Sequence, residues 1–209
     1  MPVLATALLQ ALLADAHAAP FVPTSDNQVL ERLPARASDP RARELSRLRQ
    51  AWRAQPQDLD SAVRLAQAYY EAVAAEGDPR YIGYAQAALQ PWWDQPAPPP
   101  EVRVQRAVLR QFDHQFDLAL ADLDAALQAD PNLATAWTWR AAIHLVQANY
   151  PQARRSCEGL APLAPRLIGA ACTAQVDAVT GRAAIAASAL QAALNAEPDA
   201  DPAQRLWVQ

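Results

Sequence analysis

Side chains able to do chemistry are few in this sequence and do not converge in an obvious way. It has three histidines, His17, His114 and His144, and two cysteines, with carboxylates scattered along predicted helix surfaces. Catalysis needs titratable groups that meet in space. No serine or cysteine is placed beside a histidine as a nucleophile requires, and His144 falls at a position predicted to pack in a helix-pair core. We therefore predict no enzymatic activity, no catalytic residue and no cofactor.

One short segment raises the alternative of a metal site. Asp113, His114 and Asp117 lie within five residues at a predicted turn between two helices. Three ligands so close together lack a fourth partner, which structural metal sites normally have. We predict no metal here, and keep as an alternative hypothesis an enzymatic or metal-binding accessory protein that uses this turn.

The two cysteines, Cys157 and Cys172, are 15 residues apart and fall on two helices predicted to pack together. A disulfide needs Cα atoms about 4.4–6.8 Å apart, which such helices can supply if the right faces meet. A bridge would close a short loop and contribute about 3 kcal/mol. The alternative is two buried thiols that behave as small hydrophobic side chains. Both alternatives stay open at this point.

Composition and charge exclude two classes of ligand and favour helix. Of 209 residues 50 are alanine, and the formal net charge is −4 with no lysine among the basic residues. Alanine has the highest helix propensity. Nucleic-acid surfaces need a basic stripe, which an acidic chain of this kind does not offer. The five glycines are never clustered, so no glycine-rich phosphate loop is present and nucleotide binding through such a loop is excluded.

The N-terminal residues predict export. Residues 3–14 form an apolar run that is too short for a membrane span and precedes the small-residue sequence Ala16-His17-Ala18-Ala19. This pattern is typical of a secretory signal ending at residue 18, although no basic residue precedes it. We expect a periplasmic or secreted protein, with an amphipathic first helix and a cytoplasmic location as the alternative. No integral membrane span is predicted elsewhere.

An internal repeat sets the architecture. Arg106-Ala107 recurs as Arg140-Ala141 at an offset of 34 residues, and Ala119 recurs as Ala153. A third copy follows at an offset of 33 and contains Ala174, Gly181, Ala186, Leu190, Ala193 and Pro198. Within each copy the apolar and small residues have helical spacing, so each copy predicts two helices joined by a short turn. Proline marks the boundary between copies.

These residues resemble the tetratricopeptide repeat (TPR) family over roughly residues 40–209. The resemblance implies an all-α, right-handed solenoid of antiparallel helix pairs. The predicted organisation is as follows: a signal peptide at 1–18, an extended leader at 19–40, first helical units with an atypical long repeat at 41–93, a Pro-rich loop at 94–100, repeats at 101–133, 134–166 and 167–200, and the start of a further helix at 201–209. Because the last helix stops after about two turns, we expect the sequence to be truncated.

Two segments depart from the repeat. In the long unit we expect an extended first helix that ends at Gly77-Asp78-Pro79. Prolines between Pro91 and Pro100 are incompatible with a continuous helix, so this stretch is predicted to be a loop. Of the adjacent Trp92 and Trp93, we expect one to pack at the end of the unit and the other to be exposed beside the loop.

The resemblance also indicates where a partner would bind, because in this family the first helices of the pairs line a concave face. The positions carried over by the alignment are Val63, Gln67, Tyr70 and Glu71; Val104, Val108, Gln111 and Phe112; Thr138, Trp139, Leu145 and Val146; and Ala171, Gln175 and Val179. These side chains are apolar or amides with hardly any charge. Each of them is about as well explained by packing between units as by contact with a ligand.

The expected function is a non-catalytic scaffold or adaptor that binds a peptide segment of a protein partner in this groove. Family members that clamp the acidic tail of a chaperone use lysine on these positions, where this chain has Val63, Val104, Thr138 and Ala171. A chaperone-tail clamp is therefore excluded. A self-associating structural spacer is kept as a further alternative.

Overall fold

The computed structural model describes residues 21–25, 27–30, 39–202 and 205, so the predicted signal at 1–18 lies outside the described residues. The chain divides into two compact units at Asp39 and Pro40. In the first unit, the Thr24 amide and hydroxyl both donate to the side-chain oxygen of Gln28, at 2.7 and 3.1 Å. The described helices all lie in the second unit.

Ten helices are described and no strand occurs among the described residues, which confirms the all-α prediction. In chain order they are α1 (Pro40–Ala54), α2 (Leu59–Glu76), α3 (Arg80–Ala88), α4 (Gln90–Trp93), α5 (Pro100–Phe112), α6 (Phe116–Ala129), α7 (Ala134–Val146), α8 (Tyr150–Leu160), α9 (Arg166–Val179) and α10 (Ala183–Ala196). The long α2 ends at Gly77, which adopts a left-handed conformation (φ 68°), as the sequence predicted.

The helices pack as consecutive pairs: α2 with α3, α5 with α6, α7 with α8, and α9 with α10. The first helices of successive pairs, α2, α5, α7 and α9, also contact one another. This arrangement is the predicted solenoid of helix pairs. The surface that α2, α5, α7 and α9 turn away from their second helices is called the first-helix face.

Buried alanines stand where the paired helices cross. The repeat-equivalent Ala107, Ala141 and Ala174 are buried on the first helices. On the second helices Ala119, Ala153 and Ala186 are buried as well. A methyl group at these positions lets two backbones approach closely, so the 34-residue alignment of the sequence corresponds to a repeated packing contact.

The turn inside each pair depends on one left-handed residue. His114 (φ 59°), Ala148 (φ 57°) and Gly181 (φ 81°) occupy equivalent repeat positions. In each copy the next residue's amide donates back five residues, as in Asn149 to the His144 carbonyl at 2.8 Å and Arg182 to the Asp177 carbonyl at 2.9 Å. These bonds satisfy carbonyls at the helix end.

A buried ion cluster fixes the fifth helix to the sixth. Arg106 and Asp122 are both buried, and the guanidinium donates to the two carboxylate oxygens at 2.8 and 2.6 Å. Arg110 adds a third bond to the same carboxylate at 2.7 Å. Because a buried charge is costly unless it is paired, this cluster holds α5 and α6 in one register.

The same cluster anchors the proline-rich segment. Arg106 also donates to the Trp93 carbonyl, and Arg103 donates to the Pro98 and Pro96 carbonyls at 3.2 and 3.3 Å. Buried Pro98 and these bonds tie the loop to α5. The loop is therefore held by guanidinium groups whose role the sequence did not indicate.

Two expectations about this segment were wrong in detail. The loop is shorter than predicted, since Pro91 lies in the first turn of α4 and Pro100 begins α5. Proline is tolerated there because amides in the first turn of a helix make no hydrogen bond within the helix. Trp92 and Trp93 are both half-buried against the core around α2 and α3, so neither indole is exposed. A single helical turn lets both rings reach the core.

A second ion cluster links the last two pairs. Asp177 on α9 accepts hydrogen bonds from Arg182 at 2.7 Å and from Arg154 on α8. The Arg182 hydrogen bond, followed by that of Arg154, lowers the pKa of Asp177 below its ordinary value. The carboxylate therefore connects α8, α9 and the turn before α10.

We expect Ala148→Gly to stabilise the fold by about 0.5–1 kcal/mol. A left-handed conformation costs an L-residue about 1–2 kcal/mol, and glycine avoids this while losing about 0.4–1 kcal/mol to the freer unfolded chain. Denaturant unfolding measures the change. Ala121→Gly, at an exposed position inside α6, is the control and should destabilise by about 0.5–1 kcal/mol. Equal destabilisation by both variants would contradict the strain argument.

We expect Asp122→Ala to destabilise the fold by about 3 kcal/mol, because it leaves the buried Arg106 without its carboxylate. Denaturant unfolding again measures the loss. The control is Asp60→Ala, which breaks an ion pair with Arg64 whose side chains are both well exposed, and should cost less than about 1 kcal/mol. Similar losses in the two variants would show that the buried cluster contributes nothing special.

Candidate functional site

Three predicted groove residues from three different helix pairs meet on the first-helix face. The Tyr70 ring on α2 lies against the Trp139 ring on α7, with centroids 5.5 Å apart and an edge-to-face geometry. Gln111 on α5 donates from its amide to the Tyr70 hydroxyl at 3.1 Å. Residues 69 positions apart in the sequence therefore form one continuous aromatic and amide surface.

Partial burial of Tyr70 changes the pKa of its hydroxyl group. Desolvation raises the pKa of Tyr70, and the hydrogen bond from Gln111 partly opposes that rise. The phenol is neutral at physiological pH and its oxygen serves as a hydrogen-bonding group. The surface it forms with Gln111 and Trp139 thus presents rings and polar groups without formal charge.

The predicted groove residues divide by exposure into three groups. Buried positions are Val104, Val108 and Ala171, at 2–4% exposure. Half-buried positions are Val63, Tyr70, Gln111, Trp139 and Leu145. Exposed positions are Gln67, Glu71, Phe112, Thr138, Val146, Gln175 and Val179. The buried valines form the floor between the helices, so direct contact with a partner is left to the half-buried and exposed groups.

An apolar row follows the ends of the first helices. Phe112, Val146 and Val179 are the last residues of α5, α7 and α9, and are 37%, 71% and 55% exposed. They occupy equivalent repeat positions, so one apolar side chain per pair faces solvent along one edge. On α2, Gln67 donates to Glu71 at 3.0 Å, which pairs the one carboxylate of the predicted groove with an amide.

A cavity of about 260 Å³ opens between α7 and α9. Three predicted groove residues line it: Thr138, Leu145 and Gln175. The alignment did not single out Ile168, which lies on α9 and also lines the cavity. The sequence contains a sign of this role, because Ile168 is apolar where the two preceding copies have the polar residues Glu101 and Thr135.

Both cysteines also line this cavity. In the structure Cys157 on α8 and Cys172 on α9 are joined in a disulfide with Cα atoms 5.5 Å apart. Cys157 takes the repeat position of Leu123 and is buried, whereas Cys172 is half-buried. The bridge therefore connects two neighbouring pairs directly beneath the first-helix face.

The residues of the alternative metal hypothesis do not form a ligand cluster. His114 adopts the left-handed turn conformation, and its ring packs edge-on against Phe116 at 5.6 Å. In residues 21–25, 27–30, 39–202 and 205, no group of three or more His, Cys, Asp or Glu side chains is placed to hold a metal ion. Asp113 and Asp117 are exposed at the two ends of the turn.

His144 lies buried on α7 and its Nδ1 has no hydrogen-bond partner within the described part of the chain. Burial lowers the pKa of His144, and the nearby Arg140 lowers it further while Asp124 opposes the effect. The imidazole is therefore neutral near pH 7. Its surroundings are those of a packed side chain.

No helix in the described ranges has both the length and the apolar character needed to cross a membrane. The longest, α2, carries polar and charged side chains throughout its length, including Asp60, Arg64 and Glu71.

Comparison with known proteins identifies the fold. No family model matches the sequence, and no curated protein is similar to it. Among solved structures, TTC0263, a thermophilic TPR protein of Thermus thermophilus, superposes with a TM-score of 0.63 at 16% identity, over 78% of this chain and 86% of that chain.

Two structures of MamA are also similar. One superposes with a TM-score of 0.55 at 13% identity, over 74% of this chain and 86% of the other. A second, named MamA MSR-1, superposes with a TM-score of 0.51 at 17% identity, over 77% and 89%. These likenesses establish a TPR-like fold for this chain.

We expect His144 to make stability pH-dependent. Its pKa is lower in the folded chain than the unperturbed value of about 6.5, so the unfolded chain binds the proton first and stability falls as pH drops below about 6.5. Denaturant unfolding between about pH 7.5 and 5 should show this loss, and His144→Gln should reduce it.

The control is His114→Asn, which keeps a residue tolerant of positive φ in the turn and should leave the pH dependence unchanged. Proton NMR of the imidazoles provides an independent measurement. A His144 resonance that titrates at or above the ordinary histidine pKa would contradict the prediction.

Proposed function

We propose that this chain is a non-catalytic scaffold that binds an extended or helical segment of a partner protein along its first-helix face. The observation that carries the proposal is the meeting of Tyr70, Gln111 and Trp139, contributed by three separate helix pairs. A surface assembled from several pairs suits a long segment better than a small molecule, because successive pairs contact successive residues of that segment.

The chemistry of this face supports a partner segment with apolar and neutral polar side chains. Rings and exposed apolar groups such as Phe112 and Val146 supply apolar contact area. Amides at Gln67, Gln111 and Gln175 are able to donate to and accept from a peptide backbone. Aromatic groups at such surfaces are frequent sites of strong binding.

Export from the cytoplasm is part of the proposal. A disulfide between Cys157 and Cys172 suits an oxidising compartment such as the periplasm, since cytosolic thiols are normally kept reduced. The apolar run at residues 3–14 predicts a signal that would direct the chain there. The two features are independent of each other and support the same location.

We expect partner capture to depend on the first-helix face. The full chain would be immobilised and exposed to a native envelope extract, with bound proteins quantified by mass spectrometry. The variant Tyr70→Ala/Phe112→Ala/Trp139→Ala should reduce the amount of the captured partner at least tenfold, because a loss of about 1.4 kcal/mol already weakens binding tenfold.

Two further variants guard against loss of folding. Leu118→Ala/Ile185→Ala removes exposed apolar groups from the second helices and should leave capture unchanged. Gln67→Arg/Phe112→Arg adds charge at exposed positions of the first-helix face without emptying the core, and should reduce capture while circular dichroism shows an unchanged helix content. Capture that is equal for all variants would overturn the proposal.

A further inference from the structure

The cavity between α7 and α9 lies where the repeat has smaller side chains than in the preceding copy. Trp139 on α7 packs against the core that contains Val104, Ala107 and Leu123 of the preceding pair. At the equivalent position on α9 the chain has Cys172. A large indole therefore fills the junction between α5 and α7, whereas a small sulfur group leaves the next junction open.

The rest of the open junction is lined by residues equivalent to those of the filled one. Ala141 takes the place of Ala107, and Cys157 takes the place of Leu123. Both line the cavity, together with the half-buried Leu145. The backbone framework that accommodates an indole in one junction is thus repeated in the next, where no side chain of the described residues takes the place of the indole.

Size and polarity indicate what the cavity can hold. Its volume is about 260 Å³, which is below the range of about 300–1,000 Å³ of pockets for drug-sized ligands. A cavity of about 150 Å³ already holds benzene. Among the residues that the structure describes, no charged side chain lines it, and the polar side chains in its lining are the exposed Thr138 and Gln175.

We propose that this cavity is an anchor pocket that receives one bulky apolar side chain, aromatic or aliphatic, from the partner segment. The proposal rests on the proposed function and specifies the chemistry of the segment. The inserted side chain takes the place that Trp139 fills one repeat earlier, and Thr138 and Gln175 bond to the peptide groups that flank it.

The disulfide holds one wall of the pocket. Cys157 is buried and Cys172 is half-buried at the cavity surface, so the bridge fixes α8 to α9 beneath the bound side chain. A dithiol such as dithiothreitol breaks the S–S bond by supplying two electrons and two protons, which yields two thiols and the cyclic disulfide of the reagent. Reduction frees the wall to move and should weaken occupancy of the pocket.

Blocked single amino acids provide a direct probe. N-acetyl-tryptophanamide and N-acetyl-leucinamide each carry one apolar side chain between two amide groups. We expect saturable NMR shifts of the Leu145, Ile168 and Val176 methyl groups of the oxidised full chain, with dissociation constants on the order of 1 mM, as small fragments generally show. N-acetyl-glycinamide and the amide of N-acetyl-glutamate should give no saturable shift.

A matched pair of variants tests the location. Ala142→Leu adds bulk from a half-buried position in the cavity lining, and should abolish the probe shifts. Ala121→Leu, at an exposed position on α6 outside the lining, should leave them unchanged. Absence of saturable shifts in the unmodified chain, equal shifts with the acidic probe, or unchanged shifts in Ala142→Leu would each overturn the proposal.

The role of the disulfide is tested by measuring binding of the same probes in the presence of dithiothreitol. We expect at least a threefold rise in the dissociation constant after reduction, at a temperature where circular dichroism shows retained helix. An unchanged dissociation constant would overturn the role given to the disulfide. If the reduced chain loses helix, the double variant Cys157→Ala/Cys172→Val is measured in its place, because it keeps an apolar wall without the bridge. The same threefold rise in the dissociation constant is then expected.

Failure of this proposal is distinguishable from failure of the proposed function. If Tyr70→Ala/Phe112→Ala/Trp139→Ala loses capture but the unmodified chain does not bind the probes, the scaffold proposal stands and only the anchor-pocket proposal fails. If the probes bind but that variant captures the partner as well as the unmodified chain does, the pocket is present but the proposed role of the first-helix face fails. Shifts that instead depend on protein concentration would indicate a second copy of the chain as occupant and would also overturn the proposal.

Discussion

Close approach of paired helices at alanine positions is the constraint on which the helical unit depends. Ala107 and Ala119, with their counterparts in the next two copies, are buried at the crossings, and any larger side chain there would push two backbones apart. Gly159 extends the same logic: a Cβ atom there would lie 2.7 Å from ring atoms of Trp137. Small residues in one helix thus make room for the packing of the other.

The arginine at one first-helix position of the repeat is paired differently in two copies. Arg106 pairs with Asp122 in the first repeat, whereas Arg140 at the equivalent position donates to Ser156 at 2.9 Å and to Asp124 at 2.7 Å. Ser156 stands where the first repeat has Asp122, so the second copy has one buried charge fewer. The Arg140 guanidinium bonds instead to Asp124 of the previous pair. These two copies therefore keep the donor and vary the acceptor, which changes how firmly adjacent pairs are joined.

Variation at a second position gives the first-helix face its chemistry. Gln105, Trp139 and Cys172 occupy one repeat position and differ in size and polarity. The indole packs into one junction and contacts the Tyr70 ring on the face, while the cysteine borders a cavity and bridges to Cys157. A regular series of helix pairs thus acquires an irregular surface.

The sequence by itself determined the helix pairs and their order, because the 34-residue recurrence of alanine, aromatic residues and proline reports local helical packing that needs no distant information. It also placed Tyr70, Gln111 and Trp139 on the first-helix face, since the resemblance to TPR proteins assigns first-helix positions to one side of the stack. What only the tertiary structure decided depends on contacts between residues far apart. The guanidinium groups of Arg103, Arg106 and Arg110 around Asp122, and the half-burial of both Trp92 and Trp93, follow from the approach of helices that no period encodes. The cavity beside Cys172 belongs to the same class, because an empty volume is set by the side chains that surround it on three helices.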